Sequence, residues 1–159
     1  MELDVAQAIV LGPDEGEVIV DTDRRSLRIK AAFDAIAVTE TRHESGELGA
    51  ELHIHRRHTD AFYVVEGAVL FELGPNTEAV QAAAGSFIAV PPGVVHGFRN
   101  ESPDRARFLN FHVPSKRFHD YLRALRDGDD ADWFDQWEPP SDGGGRSPMP
   151  SSSVPAKES

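Results

Sequence analysis

His53 and His55, in the run Leu52-His53-Ile54-His55, are the first residues of this sequence whose types and spacing could do chemistry. Side chains two apart on an extended strand point to one face of the sheet, so both imidazoles look the same way. Asp60 follows the turn Arg56-Arg57-His58-Thr59 and opens the run Ala61-Phe62-Tyr63-Val64-Val65, where it can fold back beside them. His96 comes later, just past Pro91-Pro92-Gly93. Three neutral nitrogens and a carboxylate suit one divalent transition metal, Fe, Mn, Ni, Cu, Co or Zn, and open positions at such a centre are what catalysis requires. The chain has no cysteine, so nitrogen and oxygen must supply the ligands and no disulfide supports the fold. His58 has the parity of the turn, which predicts a surface position.

Positioning these groups falls to short β-type runs that fill residues 17 to 113 without a helical period. They are Glu17 to Val20, Ser26 to Phe33, Ile36 to Arg42, Ala50 to His55, Ala61 to Val65, Val69 to Leu73, Ala79 to Ala82, Ser86 to Val90, His96 to Asn100 and Arg107 to Val113. Strands at such close spacing predict an all-β sandwich or barrel. Turn chemistry agrees at Glu66-Gly67, at Gly74-Pro75-Asn76, and at Pro91-Pro92-Gly93, where two missing donors end a ladder. After Pro114 the period changes: Phe118, Tyr121, Leu122 and Leu125 form an amphipathic helical stripe. Residues 127 to 138 hold six acidic groups beside Trp133, Phe134 and Trp137, so the aromatics are expected to tie this segment to the barrel while its carboxylates stay wet. The last residues are Pro, Ser and Gly with few apolar side chains, too few to offset ordering entropy.

The site residues stand in a pattern that resembles the cupin superfamily. Its second motif is matched in full by Gly85, Pro91, Gly93, His96 and Asn100, and its first by His53, His55 and Gly67. The first motif departs from the family at Asp60, where glutamate is usual, and at Glu47, where a glycine is usual; the nearest glycines are Gly46 and Gly49. The resemblance covers residues of roughly 26 to 114 and implies a cupin double-stranded β-helix (jelly-roll) barrel with the metal inside, on His53, His55, Asp60 and His96. The expected layout is an N-terminal arm with an edge strand over 1–25, the barrel over 26–118, a C-terminal helix with the acidic and aromatic segment over 119–138, and a disordered tail over 139–159.

Aspartate is one methylene shorter than glutamate, so either the strand moves closer or Asp60 reaches the metal through water. Parity places Phe62 and Val64 on the face of Asp60, and Phe98 and Asn100 on that of His96, so Phe62, Phe98 and Asn100 are candidates for the substrate wall, with core packing the alternative for the phenylalanines. In the last strand Phe108, Asn110 and His112 share a face; if it faces inward, His112 joins Asp60 as a candidate acid-base residue. The resemblance to quercetin-dioxygenase-like cupins implies O₂-dependent cleavage of an aromatic or enolic substrate. Metal-dependent isomerisation or decarboxylation, and non-catalytic binding of a small molecule, are the alternatives.

The formal net charge is −11, and Arg24-Arg25 and Arg56-Arg57 are isolated pairs, so no basic face offers itself to nucleic acid. Steering at long range favours neutral or cationic small molecules, although a local arginine can override it. No run approaches the ~20 apolar residues of a membrane span, and Met1-Glu2-Leu3-Asp4 lacks a signal peptide's positive start, so a cytoplasmic address is expected. The resemblance to small cupins, which commonly pair through edge strands, implies a homodimer, with Glu17 to Val20 a candidate strand for it.

Overall fold

A computed structural model describes residues 2–5 and 7–140. A hairpin of β1 (Glu2–Val5) and β2 (Ala8–Leu11) comes first and pairs with itself. Then follow β3 (Glu17–Asp21), β4 (Arg25–Ala32), β5 (Ala37–His43), β6 (Leu48–His53), β7 (Thr59–Glu66), β8 (Ala68–Leu73), β9 (Glu78–Ala83), β10 (Phe87–Val90), β11 (His96–Arg99) and β12 (Ala106–Val113). These match the runs read from sequence to within two residues at each end. The hairpin was not anticipated, because its strands are short and carry no turn signal of Gly, Pro or Asn.

Six strands form one antiparallel sheet in the order β10-β7-β12-β5-β4-β3, and four form a second in the order β6-β11-β8-β9. The sheets face one another in an all-β, cupin-like double-stranded β-helix. β3 is an edge strand, as expected. Strict alternation on β5 and β12 turns every second residue inward. At one end of the barrel those residues are apolar: Phe62, Val64, Val69, Phe71, Val90 and Phe108 pack between the sheets. Fully burying each of the larger ones is worth about 1.5–3 kcal/mol.

A helix, α1 (Phe118–Asp127), ends at Gly128 in the left-handed conformation, φ 81°, and buries Phe118, Tyr121, Leu122 and Leu125, the predicted stripe. It packs with Ile19, Ile29 and Ala37 and with Phe134 of the following strap, residues 128–138. Phe134 is buried, whereas Trp133 is exposed. Arg56 lies over the Trp137 ring at 4.0 Å and Arg117 over that of Trp133 at 4.3 Å. The expected disordered tail lies, from residue 141 onward, outside the described residues. No described helix is long and apolar enough to cross a membrane.

Candidate metal centre

β6 delivers His53 and, two residues past its end, His55; β7 delivers Asp60 and β11 delivers His96. His53 pairs with His96 across the ladder, and Asp60 pairs with His112. The donor atoms of His53, His55, Asp60 and His96 all lie within 4.8 Å of one another, and all four residues are buried. The shorter carboxylate therefore stands among the three imidazoles. The Asp60 Oδ2 atom is 2.9 Å from His96 Nε2 and 3.2 Å from His55 Nε2.

The three ligand rings are oriented from behind. Nδ1 of His53 donates to the Glu51 carbonyl at 2.7 Å, that of His55 to the Asp135 carbonyl at 2.7 Å, and that of His96 to the Val94 carbonyl at 3.0 Å. Each ring thus spends its Nδ1 hydrogen on an acceptor and turns an Nε2 lone pair inward. Three lone pairs and a carboxylate then converge, an arrangement that is repulsive unless positive charge lies among them. Protons can supply it, and so can a metal cation; the donor set fits a divalent transition metal. Burial, then the neighbouring His96 and His55, push the His53 imidazole well below its ordinary pKa, leaving it neutral and able to ligate. Burial alone would raise the Asp60 carboxyl, but His112, His55 and His96 outweigh it and hold Asp60 ionised.

A second set of groups adjoins the first. Asn110 donates to Asp60 Oδ1 at 2.5 Å and to the Ala61 carbonyl at 3.0 Å, which fixes its amide orientation. Its oxygen therefore accepts from His112 Nε2 at 2.9 Å. His112 Nδ1 is 2.8 Å from His58 Nε2, and His58 Nδ1 is 2.8 Å from an Asp135 carboxylate oxygen. These contacts link Asp135 to Asn110 through the two imidazoles. Burial pushes His112 itself well below its ordinary value. Asp135 also accepts the backbone N–H groups of Arg56 at 3.0 Å and Arg57 at 2.7 Å, and its carboxyl is held below the usual range because these bonds and that to His58 outweigh burial.

His58, expected at the surface, is 1% exposed. The strap covers the turn that carries it, and no local pattern signals a cover that arrives from residues 128–138. Asn100 does not line the cavity: its amide donates to the carbonyls of His43 at 3.1 Å and Asp104 at 2.9 Å, and its oxygen accepts from Ser102, so it shapes the loop after β11. Phe62 packs in the core against Phe71 and Phe98, with ring centroids 4.9 and 5.1 Å away. Phe98 does line the cavity, as do His112 and Asn110. Gly49 explains itself here, since a Cβ at that position would sit 2.1 Å from the Phe98 ring.

The cavity beside the metal donors, about 50 Å³, has a wall not anticipated from sequence. β5 alternates Ala37, Thr39, Thr41 and His43 inward, and β4 contributes Arg25. Gln136 reaches in from the strap. Thr39, Thr41, His43 and Gln136 are buried residues of this wall, and their polar atoms are open to the cavity rather than sealed; the sealed side-chain polar atom without a partner among the described residues is His119 Nδ1, elsewhere. Burial, then Arg25, lower the His43 pKa to about 3, so it is a neutral hydrogen-bonding group. The parity arithmetic used on β7 and β11 would have found Thr39, Thr41 and His43.

Residues 40–114 match a family model, Cupin_2, described as a cupin domain, and the match contains all four donor residues. Among solved structures, KdgF from a Halomonas species aligns with a TM-score of 0.58 at 22% identity, over 67% of this chain and 95% of that one. A sugar phosphate isomerase from a cupin superfamily, from Silicibacter pomeroyi, gives 0.53 at 23% identity, over 59% and 62%. A predicted oxalate decarboxylase from Thermotoga maritima gives 0.51 at 18%, over 56% and 79%. None of the curated proteins matches the chain. At these identities the likeness shows the fold. The class is a cupin-type barrel with a buried His/Asp cluster able to hold a metal; the quercetin-dioxygenase-like subgroup is not singled out.

Proposed function

We propose that this protein is a metal-dependent enzyme of the cupin type that moves protons on a small, oxygen-rich substrate, an isomerase or lyase rather than an oxygenase. The observation that carries the reading is the wall of Thr39, Thr41, His43 and Gln136, hydrogen-bonding side chains that line the cavity beside a convergent donor set. Buried polar groups are costly unless satisfied, and a substrate bearing several hydroxyl or carbonyl oxygens would satisfy them.

His53, His55, Asp60 and His96 would hold the metal. When bound it supplies Lewis acidity toward a substrate oxygen. Asn110 holds Asp60 by its second oxygen, and His112, on the cavity wall, orients Asn110 through Nε2; proton exchange with substrate at His112 would require one of its two nitrogens to leave its protein partner. His58 and Asp135 keep His112 in place from behind. Phe98 and Phe108 exclude water from the floor.

Dioxygenase action, the reading favoured from sequence, uses the same donors and differs in its readout. The protein is loaded with each candidate metal in turn and offered keto and hydroxy acids and diketones in D₂O, with solvent deuterium followed by NMR and O₂ by electrode. Deuterium incorporation without O₂ uptake supports the proposal. O₂ consumption replaces it with the dioxygenase, and failure to retain any metal sinks both.

A further inference from the structure

The far end of the cavity carries a charge that the reading above does not use. Arg25, 8% exposed, lines the cavity together with Ser26, Thr41 and His43. It opens β4 directly beside His43, its ladder partner on β5. Its guanidinium donates through Nε to Glu47 at 2.8 Å and through Nη2 to the Leu48 carbonyl at 3.0 Å. Nη1 bonds no described residue. Glu47 does not neutralise the corner, because the same carboxylate also accepts from Arg24 at 3.0 Å, so two guanidiniums share one negative charge. The neutral His43 adds none.

Register sets the distance from this charge to the chemistry. Thr39 pairs with Asn110, the residue that holds Asp60, whereas His43 pairs with Arg25 four residues further along β5. At about 3.3 Å per residue the row is roughly 13 Å long, and the Arg25 side chain spans part of it. A two-carbon acid such as oxalate would not touch both ends. An open chain of several carbons can reach along such a row.

Resting on the proposed function and naming its substrate class, we infer that the substrate is an open-chain polyhydroxy or keto acid whose anionic group, carboxylate or phosphate, is bound by Nη1 of Arg25, with Thr39 and Thr41 on its hydroxyls and its reacting oxygens at His53, His55, Asp60 and His96. A buried guanidinium with a spare N–H edge recognises an oxyanion, and a local charge of this kind overrides the repulsion of a chain whose net charge is −11. Arg25 is thus a specificity-determining residue, and neutral polyols are discriminated against.

The test measures dissociation constants of the metal-loaded full chain for three probes of one carbon skeleton: gluconate, glucitol 6-phosphate and glucitol. At least one of the two anions binds ten-fold or more tighter than glucitol, and which one does so tells carboxylate from phosphate. In Arg25→Gln that preference vanishes while glucitol affinity and metal content stay as they were. Because Glu47 loses a partner in that variant, Arg25→Gln with Glu47→Gln provides a neutral pair of the same shape, and Arg25→Lys retains the charge and part of the preference. Equal binding of acid and alcohol, no binding of any probe, or a preference that survives both glutamine variants overturns the inference. Repeating the series after chelation separates the two readings. Anion preference without metal retention would sink the enzyme alone, and metal retention without anion preference would sink the Arg25 site alone.

Discussion

The Asp135 carbonyl accepts the Nδ1 hydrogen of His55 at 2.7 Å across 80 residues of sequence. One residue of the strap therefore orients a candidate metal donor with its backbone and holds the turn beside it with its side chain, through Arg56, Arg57 and His58. Bonds of this kind to a ligating histidine typically matter 10- to 100-fold in metal affinity, by general experience with such partners.

Asp135→Ala leaves His58 and two backbone N–H groups without their acceptor. Removing one partner of a buried charged contact costs about 3 kcal/mol. The expected result is a lower thermal midpoint, by several degrees, and weaker metal binding in chelator competition; an unchanged affinity would show that the carboxylate does not support His55.

The same carboxylate predicts a pH dependence. Its folded value lies below the ordinary 3.8, so its contribution is fully present above that pH and is lost as pH falls through the folded value. The stability gap between wild type and Asp135→Asn should stay constant from neutral pH down to about 4 and close below it. Thermal melts across that range read the gap directly.

Metal removal should be visible as stability. A cation that binds only the folded chain adds about 2.7 kcal/mol at a hundred times its dissociation constant. The wild-type midpoint rises on adding metal, and that of His96→Ala does not. A rise of equal size in His96→Ala would place the cation elsewhere.

Phe62 and Gly49 separate core from cavity. Phe62→Ala, in the core, should cost about 3–4 kcal/mol and leave metal affinity untouched. Gly49→Ala drives a methyl group against Phe98 and should cost about 1–3 kcal/mol while altering ligand binding, since the displaced ring lines the cavity. Calorimetry with metal titration distinguishes the two patterns.

Much of this molecule could be read before folding because its information is local. Period-two alternation and Gly or Pro turns mark the strands, and the parity of His53 and His55, with the fixed interval from Gly85 to His96, marks the donors. What was missed depends on which strand lies beside which. Arg25 enters the cavity because β4 pairs with β5, and His58 is buried because Asp135 returns to it, and neither pairing leaves a periodic trace. The homodimer expected through β3 remains a proposal; light scattering giving twice the chain mass, lost on placing proline in β3, would support it.

The strap also sets an order of events in time. All four metal donors emerge during synthesis by residue 96, but the carbonyl that aims His55 belongs to Asp135, and the bridge that holds Ile54 belongs to Trp137. A growing chain presents the donors before it can orient them all. Alignment of the full donor set therefore waits for the strap, and a cation met earlier finds His55 not yet aimed.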